Sequence, residues 1–240
     1  MEWHDQGMLL MMRPHGESSA VVEIFTALHG RHAGVVRGGG SRRMAATLQP
    51  GTQLQATWRA RLDDHIGTFV VEPLRSRAAL LADRAALAAL GSVCAMLRAA
   101  LPEREAHPRL WQATMQLCEA MMEDADWPAE YLHWEVLLLE ELGFGLDLAR
   151  CAVTGATTGL AYVSPRSGRA VSQAGAGVWA DRLLPLPRVL LEGGVASPRD
   201  MAAGLALTGH FLKREMTGIG DPPELPAARG RLVDLLSRDP

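Results

Sequence analysis

The sequence predicts an α+β chain: a small closed barrel of five β-strands, then an all-α region interrupted by a short β insertion. Three observations carry this. Residues 1 to about 78 alternate apolar and polar positions in short runs bounded by Gly and Pro, the signature of strands with one buried face. From Ser76 onward apolar residues recur at helical spacing, with Pro beside capping residues at the helix starts. Cys151 to Ala180 lacks that spacing and is rich in Gly, Ser and Thr, which predicts an irregular β-ribbon.

Each strand has its own justification. The run Met8–Arg13 leads into the turn Pro14-His15-Gly16-Glu17, and Ala20–Thr26 leads into the loop Leu28-His29-Gly30-Arg31. The clearest strand is Gln53–Leu62. There Leu54, Ala56, Trp58, Ala60 and Leu62 alternate with Gln53, Gln55, Thr57, Arg59 and Arg61. Pro50-Gly51 starts this strand, and Gly67 opens the next, TFVVEP. Short strands separated by such turns favour a barrel over an open sheet. The alternation also puts Arg59 and Arg61 on one solvent face, ~6–7 Å apart.

In the α region, the Ala- and Leu-rich run ending at Pro102 predicts a first helix. Pro108 starts a second, with Trp111, Met115, Cys118 and Met122 near one face. Asp126-Trp127-Pro128 starts a third, with Tyr131, Trp134, Leu138 and Leu142 along a stripe. The insertion carries a strand at Leu160–Val163 and a turn at Ser164–Gly168. Ser197-Pro198-Arg199-Asp200 is a helix start leading to Met216, and Leu232–Leu236 is a last amphipathic segment. The expected domains are 1–78, then 79–150 with 179–240, and the insertion 151–178.

Composition narrows the class. At 240 residues and 48% hydrophobic, the chain can build two or three modest cores. No window approaches the ~18 uninterrupted apolar residues of a membrane helix. The opening MEWHDQG has no basic n-region, so a cytoplasmic protein is expected. Cys94 and Cys118 sit among apolar residues as small core side chains, and no disulfide framework is expected.

Charge is segregated. Ile24 to Leu62 contains no Asp or Glu, yet it holds Arg31, Arg37, Arg42, Arg43, Arg59 and Arg61, with Gly38-Gly39-Gly40 among them. The whole chain is slightly acidic, at −3, so this is a local footprint for a polyanion. The three glycines read as a flexible loop presenting Arg42 and Arg43. Leu110 to Ala149 is the opposite: nine acids (Glu119, Glu123, Asp124, Asp126, Glu130, Glu135, Glu140, Glu141, Asp147) and no Arg or Lys. Such a run reads as a solvated helix face.

Catalytic signatures are missing from the sequence. Gly38–Ser41 fits neither a phosphate-binding P-loop nor a dinucleotide fingerprint. The adjacent carboxylates Asp63-Asp64 and Glu140-Glu141 point in divergent directions. His29 and His32 have a metal-like spacing without a second ligand pair, so they read as exposed or phosphate-contacting. The chain is therefore expected not to be an enzyme and to need no cofactor.

Taken in order, Gly16 to Arg43 (GESSAVVEIFTALHGRHAGVVRGGGSRR), Leu48 to Arg61 (LQPGTQLQATWRAR), His133 to Cys151 (HWEVLLLEELGFGLDLARC) and Cys151 to Ser172 (CAVTGATTGLAYVSPRSGRAVS) resemble the RecO family of bacterial recombination mediators. The resemblance is closest to the alphaproteobacterial form. It covers nearly the whole chain, and its most specific parts are Gly30–Arg43 and Glu141–Cys151. The resemblance implies an N-terminal OB-fold, a helical domain and a zinc-ribbon-like insertion. It also implies binding of single- and double-stranded DNA, annealing of complementary strands, and action with RecR to place RecA on strands coated by SSB.

Two departures from the family pattern stand out. Some members carry four insertion cysteines, whereas here only Cys151 remains. Thr154 stands at the second position, and the later pair falls near Ser172 and Gly175. One thiol cannot make a four-coordinate zinc site, so a zinc-free ribbon held by packing is expected. Where many members have Arg before an aromatic, near the surface taken to dock the SSB tail, this chain has His133-Trp134 among acids. That docking site is less favourable for a carboxylate tail.

The expected DNA contacts are Arg31, Arg37, Arg42, Arg43, Arg59 and Arg61. Arg13 extends the strip, and Arg166 and Arg169 lie outlying on the ribbon. Base stacking is expected to be sparse, because Phe25, Trp58 and Phe69 alternate as core residues do. The expected partners are DNA, RecR and the C-terminal tail of SSB, with a functional link to RecA, from a protein that is a monomer on its own and associated with the nucleoid. The competing reading is a protein–protein adaptor whose basic face meets an acidic protein.

Overall fold

The computed structural model describes residues 1–62, 66–123, 126–216 and 224–237. The pair Asp63-Asp64 and Asp124 lie outside the described residues. The chain divides into two compact units, Met1–Cys118 and Glu119–Pro240.

The first unit is built on five strands: β1 (Glu2–His15), β2 (Ser19–Thr26), β3 (Gly30–Val36), β4 (Gln53–Arg59) and β5 (Thr68–Arg75). They close into a barrel in the order β1-β2-β3-β5-β4. All pairings are antiparallel except the short parallel one between β3 and β5. This is the OB-fold barrel. Closure depends on β1, which is longer than the expected Met8–Arg13. Its first half, Glu2–Met8, pairs with β4, and Gly7–His15 pairs with β2. The strand can serve both neighbours because its register shifts between Leu9 and Met11, a bulge that bends it. Gly7 sits where the sheets meet, and a Cβ there would fall 2.2 Å from Ile24.

The alternation of β4 is as expected: Leu54, Ala56 and Trp58 face the core with Leu9, Val22, Ile24, Val36, Leu48 and Phe69. The strand is shorter than expected, ending at Arg59. Beyond it the pattern fails, and Leu62 is exposed. Gly7, Met8, Leu9 and Leu10 are buried in succession, so both faces of β1 are covered.

The outer cover is helical. A short 3-10 turn, Ala78–Ala82, precedes α1 (Arg84–Ala100). Asp83 starts the helix by accepting from the Ala85 and Ala86 amides, a standard N-cap, so the apolar residues Leu80 and Leu81 ahead of it fall in the 3-10 turn and not in the helix. Cys94 and Cys118 are buried as expected, with the Cys118 Sγ 3.9 Å from the Met8 Sδ. α2 (Pro108–Met122) begins at Pro108, but its buried stripe is Leu110, Thr114, Leu117, Cys118 and Met121. The expected stripe through Trp111, Met115 and Met122 is displaced by about one position. Trp111 is half-buried and meets the Phe25 ring edge-on, at 5.7 Å.

In the second unit, α3 (Trp127–Glu141), α6 (Pro198–Glu215) and α7 (Ala227–Leu236) form the helical core. α6 begins with the expected Ser197 cap, which is a full capping box with Asp200. The insertion is a three-stranded sheet in the order β7-β6-β8, with β6 (Leu160–Val163), β7 (Ala170–Ser172) and β8 (Leu184–Pro185). Two one-turn helices, α4 (Gln173–Ala176) and α5 (Val189–Glu192), flank β8 along the chain.

The acidic run is not uniformly solvated. Glu135 is fully buried. It accepts from the Tyr131 hydroxyl (2.8 Å), the Thr208 hydroxyl (2.5 Å) and both the Nε and Nη2 of Arg229 (2.7 and 2.9 Å). This knot ties α3, α6 and α7 together. Burial alone would favour the neutral guanidine, but the Glu135 carboxylate outweighs it and holds the Arg229 pKa above its ordinary value.

Candidate nucleic-acid interface

The arginines of the acid-free stretch do not form one uniform strip. Arg37, just past the end of β3, meets Arg59 and Arg61, at and just past the end of β4, around an open groove of about 610 Å³. The groove is also lined by His15, Ser19, Val35, Ile66 and Thr68. Arg61 lies beyond the strand, so its meeting with Arg59 comes from the bend after β4 and not from strand alternation. Arg42 and Arg43 are exposed in the β3–β4 connection but line neither this groove nor the next.

Arg13 lines a second groove, of about 530 Å³, with Arg98 and Arg104. Sequence reasoning missed Arg98 and Arg104, because both lie in helical-region sequence outside the acid-free stretch. Their signal was three-dimensional: α1 and the loop after it return to the barrel wall. Glu23 and Glu103 line the same groove, so it is of mixed charge.

Arg31 has a structural place. It is only 15% exposed, and its guanidinium donates to Glu23 (2.9 Å), Glu103 (3.5 Å) and the Leu101 carbonyl (3.1 Å). Arg98 grips the same Glu23 through two nitrogens, each at 3.2 Å. Burial opposes ionisation of Glu23, but the two guanidiniums prevail and hold its carboxyl below the usual range. Arg59 is paired with Glu2 at 2.7 Å while staying 61% exposed. Its hydrogen bond lowers the Glu2 pKa. The counter-charges therefore come from outside the acid-free stretch: Glu23 at its border, and Glu2 and Glu103 far from it in sequence.

The triple glycine is pinned, contrary to the flexible loop expected. Gly38 has φ +71°, the left-handed region that favours glycine. A Cβ on Gly39 would lie 2.8 Å from the Ala20 Cβ. The Gly40 amide donates to the Ser18 carbonyl at 2.9 Å. Arg42 and Arg43 thus stand on a fixed series of turns.

The barrel also carries a ring cluster. Trp3 stacks on His29 at 4.2 Å and 7°, and Trp58 lies at 5.9 Å and 18° from Trp3. His32 meets both indoles edge-on. Trp58 and His32 are buried, whereas Trp3 and His29 are partly exposed. The expectation of an exposed His32 is therefore incorrect: the strand turns it into the ring cluster.

On the ribbon, Arg166 and Arg169 are exposed. Arg169 is 3.4 Å from Asp147, and the Arg166 carbonyl accepts from Arg214 at 3.3 Å. In α3, His133 is exposed and its Nδ1 lies 2.9 Å from the Ala129 carbonyl, while Trp134 is buried.

The degenerate cysteine positions converge. The Cys151 Sγ accepts from the Thr154 amide (3.4 Å), the Ser172 amide (3.2 Å) and the Ser172 hydroxyl (3.3 Å). A Cβ on Gly175 would be 2.9 Å from that sulfur. One thiol, two hydroxyls and a glycine do not fit a structural zinc ion. Among the described residues no group of three His, Cys, Asp or Glu could hold a metal. Burial opposes ionisation of Cys151, but the Ser172 and Thr154 donors outweigh it and bring the thiol down to about 6.

An OB-fold barrel with arginine-lined grooves on its wall defines a class of oligonucleotide-binding modules. Comparison with known proteins narrows the class to one family. Residues 1–77 match the model "Recombination protein O N terminal", and residues 81–219 match "Recombination protein O C terminal". The chain is 60% identical over 238 residues to DNA repair protein RecO of Cereibacter sphaeroides, covering 99% of each. It is 54% identical over 240 residues to DNA repair protein RecO of Ruegeria sp. (strain TM1040), again covering 99% of each. The chain belongs to the RecO family of DNA repair proteins, and its role lies in DNA repair and recombination.

Proposed function

We propose that the barrel wall captures DNA strands electrostatically and promotes their annealing, as a non-enzymatic recombination mediator. On this reading it works with RecR to place RecA on SSB-coated single strands at chromosomal DNA. The carrying observation is the convergence of Arg37, Arg59 and Arg61 on one groove. Guanidiniums spaced along a groove neutralise phosphates and release counterions. That lowers the repulsion between two strands, and no bond in the DNA has to be made or broken. On this reading Arg42, Arg43 and Arg13 flank the path, and Arg166 and Arg169 on the ribbon make phosphate contacts of their own. Arg31 supports it by tying the barrel to Glu23 and Glu103.

The test is DNA affinity against salt for wild type and for Arg37→Gln/Arg59→Gln/Arg61→Gln, by fluorescence anisotropy, with annealing of SSB-coated oligonucleotides in parallel. Each lost phosphate contact should shallow the log–log salt slope for single strands by about 0.7, and annealing should fall with it. Unchanged slope and annealing would remove the groove from the DNA path. Salt-insensitive DNA binding together with tight SSB binding would favour a protein–protein adaptor instead.

A further inference from the structure

We infer that the partly exposed Trp3–His29 ring pair, backed by the buried Trp58, is a stacking site for an unpaired base of a single strand whose phosphates lie in the arginine groove. This rests on the strand-binding reading above and adds to it a means of telling single strands from duplex. The cluster borders a recess of about 570 Å³, lined by Met1, Glu2, Trp3, His29, Trp58 and Arg104, with His32 at its floor.

Three features point to a base as the occupant. The first is ring geometry. Trp3 and His29 are parallel at 4.2 Å, and the Trp3 and Trp58 planes are inclined by only 18°, so a flat π-system meets a ladder of flat π-systems. Both Trp3 and His29 keep part of their surface in solvent, and a Trp ring with one side on the core and another in water suits a binding surface.

The second is charge. Glu2, which lines the recess, is engaged with Arg59 at 2.7 Å, and Asp5 is engaged with the lining residue His29 at 3.3 Å. Carboxylates repel phosphate but tolerate a neutral base, so the backbone is steered to the arginines and the base to the rings. Arg104 adds a guanidinium 5.9 Å over the Trp58 ring, a wall of the kind that favours base stacking through cation–π contact.

The third is continuity. Arg104 lines both the ring recess and the Arg13 groove, and Ile66 lines both that groove and the Arg37–Arg59–Arg61 groove. The three recesses therefore adjoin along one wall of the barrel, as a strand with phosphates on one side and bases on the other requires. A paired base cannot turn out into such a recess without unpairing, so duplex would gain nothing from it.

The experiment uses the full chain. Wild type, Trp3→Leu and His29→Ala are titrated with an oligo-dT strand, with an abasic strand of the same length, and with duplex, by anisotropy and tryptophan quenching. Stacking of one base predicts that Trp3→Leu weakens oligo-dT binding about 5- to 150-fold. Abasic and duplex affinities and the salt slope should stay unchanged. If Trp3→Leu does not fold, wild type still decides: oligo-dT should quench tryptophan fluorescence and the abasic strand should not. Equal quenching and affinity for dT and abasic strands, with the salt slope intact, would overturn the stacking site and leave the arginine groove standing. Absence of salt-dependent binding to any of the three by wild type would overturn the groove and the stacking site together.

Discussion

Glu135 and Arg229 stand 94 positions apart and meet as a buried, two-pronged ion pair. Removing one partner strands the other charge away from water, which costs roughly 3–5 kcal/mol. Glu135→Ala should therefore lower urea stability of the helical unit by that order. Replacing both residues with apolar side chains of similar volume should cost much less. No sequence pattern exposes this pair: Glu135 sits in an acidic run that reads as solvated, and only the packing of α3 against α6 and α7 brings Arg229 to it. Cys151 gives a second residue-scale prediction. Its folded pKa lies below the ordinary thiol value, at about 6. The stabilisation it contributes is therefore complete above the unfolded value, near 9, and is lost as pH falls toward 6. The stability gap between wild type and Cys151→Ala, followed by thermal melts, should widen from pH 6 to pH 9. A gap that is constant or narrows with pH would contradict it. The sequence does show that Cys151 has lost its zinc partners. That its neighbours turn their hydrogen-bond donors onto the sulfur is visible only in three dimensions.

At the scale of elements, period-2 alternation locates β4 to its first residue, and Gly67 marks the start of β5. The ends are less legible. β4 ends at Arg59 although Ala60 and Met1 still exchange two backbone bonds, at 3.1 and 2.7 Å, because the chain bends at Arg61 and Leu62. β1 extends to Glu2 because its polar first half finds β4, a pairing between residues 45 to 57 positions apart that no local pattern reports. Gly38–Gly40 shows the same gap between composition and structure. Three glycines suggest slackness, whereas here one supplies a left-handed turn and the next lets the backbone reach Ala20. Gly39→Ala forces a Cβ to 2.8 Å from that neighbour and should cost about 1–3 kcal/mol in chemical denaturation. A change at Gly40, where the nearest atom would be 3.3 Å away, should cost less.

For the molecule as a whole, the composition boundary near residue 78 is not where the first unit's core ends. Met8, Leu10 and Phe25 are buried on the barrel's outer side, with Cys118 and Trp111 of α2 against Met8 and Phe25. A fragment of residues 1–78 would uncover that face and should aggregate or melt without cooperativity. Residues 1–122 should give a single sharp transition by circular dichroism. Equal cooperativity for both fragments would show that the helical cover is dispensable. The charge pattern is likewise only half legible from sequence: the stretch without acids is plain, but the acids that answer it lie before and after it in the chain.

The Glu2–Arg59 pair has a consequence for timing. On the proposed strand-binding reading, Glu2 is a stand-in anion, a carboxylate held on Arg59 where a phosphate would go. A small anion arriving alone would have to compete with that tethered substitute at its one contact. A strand with many linked phosphates would settle on Arg37 and Arg61 first and then displace Glu2 from next door. A pair this exposed contributes little, so the glutamate would weigh on single anions and hardly at all on connected ones.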